Sequence, residues 1–140
     1  MLRIKMETLK NCPFDPAIES NRLVFNYIKN LHAHDCVSET LIKSLKPCGD
    51  GQLFSPETYR YLTASTQGII FGFAVDMDTI AFRLNKRSKE VALKTGAKAI
   101  PQCGEDWVNL KPSQCDWPSV DYEFWALKAY LNIRESVGLA

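Results

Sequence analysis

No stretch of the 140-residue sequence approaches the roughly 20 uncharged apolar residues that a membrane-spanning helix requires. The longest candidate, Gly68-Ile-Ile-Phe-Gly-Phe-Ala-Val75, has the length of a strand. The opening residues, Met1 to Lys10, interrupt their apolar positions with charge before a signal-peptide core can form, which argues against a cleaved export signal. Histidine is scarce, with two residues in the chain, so any imidazole chemistry is confined to Leu31-His32-Ala33-His34-Asp35-Cys36-Val37. The five cysteines are odd in number, widely spaced and without a Cys-x-x-Cys pair, unlike a secreted disulfide framework or a zinc ribbon. Reduced thiols in a cytoplasmic protein are the expectation. Gly68, Gly72, Gly96 and Gly104 build neither a Walker loop nor a dinucleotide fingerprint. Seventeen Lys and Arg against sixteen Asp and Glu leave a formal charge of +1, without the excess expected of a general nucleic-acid or acidic-lipid binder.

What is present is the composition of a folded chain. Hydrophobic residues at 46% and charged residues at 24% exclude disorder, a collagen repeat and a coiled-coil rod, and the length suits one domain over residues 1–140. Asp15-Pro16 predicts a helix start, with a helix to about Leu31 burying Val24, Ile28 and Leu31. A second helix is expected after Ser38 on the repeat Leu41, Ile42, Leu45, and Ser55-Pro56-Glu57 predicts a brief third one to about Leu62. Residues 68–84 read as a β-hairpin: Ile69, Phe71, Phe73 and Val75 alternate on one face, and Ile80, Phe82 and Leu84 follow a short Asp76-Met77-Asp78 connection. A helix from about Lys86 or Ser88 closes at Gly96. A strand at 107–110 and a last amphipathic helix from about Val120 to about Glu135, with Phe124, Leu127 and Leu131 on its buried side and Trp125, Ala129 and Tyr130 widening that stripe, complete the order. The fold class predicted is α+β, a small antiparallel sheet built around the hairpin and packed by N-terminal helices and the C-terminal helix.

From the hairpin to the last helix, over residues 68–136, the element order and the pattern Gly96-Ala97 followed by Gly104 and Trp107-Val108 loosely resemble several small bacterial α+β families. TfoX N-terminal-like domains and the luciferase-type domain are among them. The resemblance implies a fold and transfers no activity.

Three sets of residues could carry function. His32, His34 and Cys36 at spacing two would share one side of an extended segment, a donor set suited to zinc or copper once a fourth ligand is found. Read as structure, the two imidazoles end a helix and the thiol is ordinary. Cys48, ahead of Gly49-Asp50-Gly51, is the best placed thiol for nucleophilic chemistry, against the reading of a tight turn with a bystander cysteine. The least average feature is segregated charge. Arg83, Lys86, Arg87, Lys89, Lys94 and Lys98 are opposed within their segment by Glu90 alone, whereas residues 105–123 carry five acids against Lys111. Lys86, Arg87 and Lys89 gather at a predicted helix N-terminus, where the helix dipole disfavours positive charge by about 0.3–1 kcal/mol each.

These features predict a small protein-binding module, of the inhibitor or immunity type, that meets another protein through Arg83, Lys86, Arg87, Lys89, Asp116, Trp117 and Asp121. Trp117, flanked by proline, is the aromatic expected to be exposed; Trp107 and Phe124 are expected in the core. A metal- or thiol-dependent enzyme centred on His32, His34 and Cys36 is the alternative, and weak nucleic-acid binding through 83–98 ranks third. No cofactor or metal is assigned, and oligomeric state is left open.

Overall fold

The computed structural model of the protein describes residues 12–110 and 120–139. Within them the chain runs α1 (Glu19–Ile28), α2 (Asp35–Ser44), β1 (Gln52–Phe54), β2 (Leu62–Thr66), β3 (Ile69–Val75), β4 (Thr79–Arg83), α3 (Lys86–Lys94), β5 (Lys98–Ala99), a 3-10 turn (Pro101–Cys103), β6 (Trp107–Asn109) and α4 (Tyr122–Ser136). All six strands described join one antiparallel sheet in the order β1-β2-β3-β4-β6-β5. The protein is therefore α+β, with helices packed against the sheet.

Both faces of the sheet are covered. On one, Val37, Leu41 and Leu45 of the α2 region and Trp125, Ala129 and Ile133 of α4 pack on Leu62, Ala64, Phe71, Ile80 and Phe82. On the other, Val24 and Ile28 of α1 join Phe14, Phe54, Tyr61, Ile70, Phe73 and Trp107. A sheet buried on both sides loses the alternation of apolar and polar residues that marks a half-exposed one. That is why β2, Leu62-Thr-Ala-Ser-Thr66, escapes a reading from hydrophobic pattern although every one of its residues is buried.

The hairpin over β3 and β4 is present, but its faces are not those expected. Ala64 faces Gly72 while Ser65 faces Ile70, so Phe71 is an extra residue on β3 and the strand bulges there. The bulge reverses the alternation: Phe71 packs with α2 and α4, and Phe73 and Val75 pack with α1. Gly72 marks the place, since a Cβ on it would lie 2.9 Å from the Phe82 ring.

Helix ends differ as well. Asp15 Oδ1 accepts the Ala17 N–H at 2.9 Å in a turn that delays α1 to Glu19. The helix stops at Ile28 because Leu31 to His34 run extended, bonded to the 59–61 segment on one side and to Asp76 on the other. Ser55-Pro56-Glu57 opens no helix. There the Ser55 hydroxyl donates to the Glu57 carbonyl at 2.7 Å and holds a turn between β1 and β2.

Candidate partner-binding surface

The basic segment folds as α3 and β5, at the edge of the sheet where β5 ends it. Asn85 caps α3, its Oδ1 accepting the Ser88 N–H at 2.8 Å. The C-terminus closes with the Ala97 N–H on the Ala92 carbonyl at 3.2 Å, the Gly96 N–H on Leu93 at 3.3 Å, and Gly96 at φ +109°. This paired closure needs a residue free to adopt positive φ, and glycine is the residue type suited to it. Between these ends α3 buries Ala92 alone. The rest of the helix is partly or fully exposed, including Val91 at 51% and Leu93 at 38%.

The structure divides the candidate residues into three groups. Arg83 and Lys89 turn inward on the acidic loop: Arg83 Nε is 3.7 Å from Asp106 Oδ2, and the Lys89 ammonium donates to the Glu105 carbonyl. Asp121 caps α4, accepting the Phe124 N–H at 3.1 Å. Lys86 and Arg87, by contrast, are exposed in a first helical turn that has no acid. With Lys94 and Lys98, also exposed, they have no ion pair among the described residues. Asp116 and Trp117 lie outside the described residues. The charge segregation read from the sequence is thus partly consumed within the molecule, at Arg83 and Lys89, and partly presented to solvent. The exposed remainder is a face on which Lys86, Arg87, Lys94 and Lys98 outnumber Glu90, with Val91 and Leu93 among the charges.

The histidine and cysteine cluster does not assemble as the spacing predicts. His32 and His34 flank buried Ala33 and are exposed, but the extended run ends at His34, and Cys36 lies in the first turn of α2. His34 begins that helix rather than ending the previous one, its Nδ1 accepting the Cys36 N–H at 3.3 Å. Among the described residues no group of three or more His, Cys, Asp or Glu is placed to hold a metal ion. Cys48 is 4% exposed in the core between the sheet, α2 and α4. Burial, with the nearby Glu123 carboxylate, pushes its thiol up to about 12, so the nucleophilic thiolate is absent at neutral pH.

One concavity went unforeseen, because the 55–62 segment reads as a helix. It is a groove of about 530 Å³ between α2 and the β1–β2 loop, lined by Asp35, Glu39 and Ile42 on one wall and by Glu57, Tyr59 and Arg60 on the other. Tyr59 stands at φ +70° and is 60% exposed, and Arg60 is held by the Lys29 carbonyl at 2.7 Å and by Glu57 at 3.5 Å. None of the described lining residues is a histidine or a cysteine, so the groove does not bring an imidazole to a thiol.

Comparison with protein-family models, with curated proteins and with solved structures gave no match to this chain. Any functional reading therefore rests on the chemistry of its surfaces.

Proposed function

We propose that this protein is a binding module that engages an acidic surface of another protein through the face formed by α3 and β5. The observation that carries the reading is a short helix with a single buried residue and with Lys86 and Arg87 at its positive end, without an ion pair among the described residues. Cations there oppose the helix dipole, and an acidic partner relieves that opposition while its carboxylates accept the free backbone N–H groups of the first turn. Val91 and Leu93 supply apolar area amid the charges, the composition of a small interface patch. Such binding needs no catalytic group and suits an inhibitor, including one of the immunity type, that acts by occupying its partner's surface.

The test is affinity purification from the native host, followed by titration of the purified partner with wild-type protein and with a K86E/R87E/K94E variant. Lys89 is left unchanged because it holds the 105–106 loop. The reading predicts at least about tenfold weaker binding for the variant, steeply salt-dependent for the wild type, with a thermal melt that is not lowered, since glutamates at positions 86 and 87 suit the helix dipole. Equal affinity of the two proteins for the partner refutes it. A salt-sensitive gel shift with nucleic acid in place of a protein partner refutes it equally and moves the reading to nucleic-acid binding.

A further inference from the structure

Helix α4 is apolar on two sides. Tyr122, Trp125, Ala126, Ala129, Tyr130 and Ile133 are buried. On the opposite side Phe124 is 46% and Leu131 42% exposed, while Leu127 between them is half-buried and packs against the core. Phe124 and Leu131 are seven residues apart, two turns along the helix, so they form one outward stripe. A helix that covers the core and faces water needs one apolar side, and a second one calls for a second surface to cover it.

The charges on the stripe indicate what that surface is. Lys128 and Glu135 are both exposed, are seven residues apart and therefore lie two turns apart on the outward side. Neither has an ion pair among the described residues. Lys128 is held over the Phe124 ring, 5.4 Å from its centroid. From this arrangement we propose that the stripe is a self-association surface, on which a second copy of this chain docks with the two α4 helices antiparallel.

The pattern is self-complementary in one register. Setting Lys128 of one copy opposite Glu135 of the other forms that pair twice, because a two-fold axis repeats every contact. The same register brings the two Leu131 side chains together beside the axis. Centring the pair on Lys128 would instead oppose like charges. The proposal concerns α4 alone and is independent of the reading of α3.

Sedimentation of the full chain over a dilution series tests it. A concentration-dependent dimer is expected for the wild type. L131E, K128E and E135K are each expected to be monomeric, and K128E/E135K to regain the dimer because the swapped charges meet again. Circular dichroism melts of the single variants, taken at dilution where the wild type is monomeric, should match the wild type, since all three positions face outward. The proposal is overturned by a wild type that stays monomeric up to about 1 mM, the weak end of specific association. A dimer indifferent to L131E, or a double variant that fails to regain the dimer, overturns it as well.

Discussion

Asp50 shows how one exposed side chain can tie three parts of a chain together. Its carboxylate accepts from Thr66 at 2.8 Å, from Gln67 at 2.9 Å and from Arg134 at 2.7 Å, while its N–H donates to the Tyr130 hydroxyl at 3.1 Å. The loop after α2, the β2–β3 turn and α4 thus meet at one residue. The Tyr130 hydroxyl first, then Thr66, with the Arg134 charge and Gln67 adding, hold the carboxyl down to about 2. Its value in an unfolded chain is about 3.9, so the folded state binds this proton less readily. The resulting stability is present above that unfolded value and is lost as pH falls through about 2. A D50N variant should therefore melt below the wild type at neutral pH, with the gap closing as the pH is lowered through this window. Melting curves from pH 7 downward check it, and a gap independent of pH would contradict it. Asn21 does comparable work inside the molecule. Fully buried, it donates from Nδ2 to the Gly68 carbonyl at 2.9 Å and to Asp15 at 3.2 Å, and its Oδ1 accepts the Ile70 N–H at 2.9 Å. N21A leaves the buried Ile70 N–H without its acceptor and should cost about 2–3 kcal/mol in denaturant unfolding. A loss below about 0.5 kcal/mol, as for an ordinary surface substitution, would show that this anchor is dispensable.

At the scale of elements, α4 is the sharpest case of a pattern that sequence alone cannot resolve. Phe124, Leu127 and Leu131 have correct helical spacing, and so do Trp125, Ala129 and Ile133; Phe124 and Leu131 face outward, Leu127 is half-buried against the core, and the second set is buried. Periodicity identifies a stripe but not which of two stripes meets the sheet. I133A should cost about 2–5 kcal/mol, whereas L131A, measured at dilution where self-association is absent, should fall within about 0.5 kcal/mol of the wild type. Equal losses at the two sites would mean that the helix is rotated from the position described. Two elements were legible: α3, from about Lys86 or Ser88 to its closing Gly96, and the β3–β4 hairpin around its aspartate-containing turn. Strands β1 and β2 were not, because local helix-start chemistry at Ser55-Pro56-Glu57 masks a turn. In addition, β2 buries Thr63, Ser65 and Thr66, whose polar atoms break any apolar alternation. The hairpin's two faces were misread for a third reason, the bulge at Phe71, of which an isolated glycine in a strand is the visible trace.

Across the whole molecule, a sheet covered on both faces leaves its outer helices and its edges as the places for recognition. The charge segregation along the chain was legible, but its spatial outcome was not. Arg83 and Lys89 fold back on residues 105–106 from the basic segment, and this depends on β4 pairing with β6, a long-range contact without a local signal. The groove beside α2 was equally hidden, since its far wall is the turn that imitates a helix. The central claim is that the exposed cations of α3 serve recognition, and titration of the purified partner with K86E/R87E/K94E tests it most directly. The account predicts a weaker complex with a melt that is not lowered, the wild-type affinity falling as salt rises. Affinity unaltered by the three substitutions, at low and at high salt alike, would contradict it.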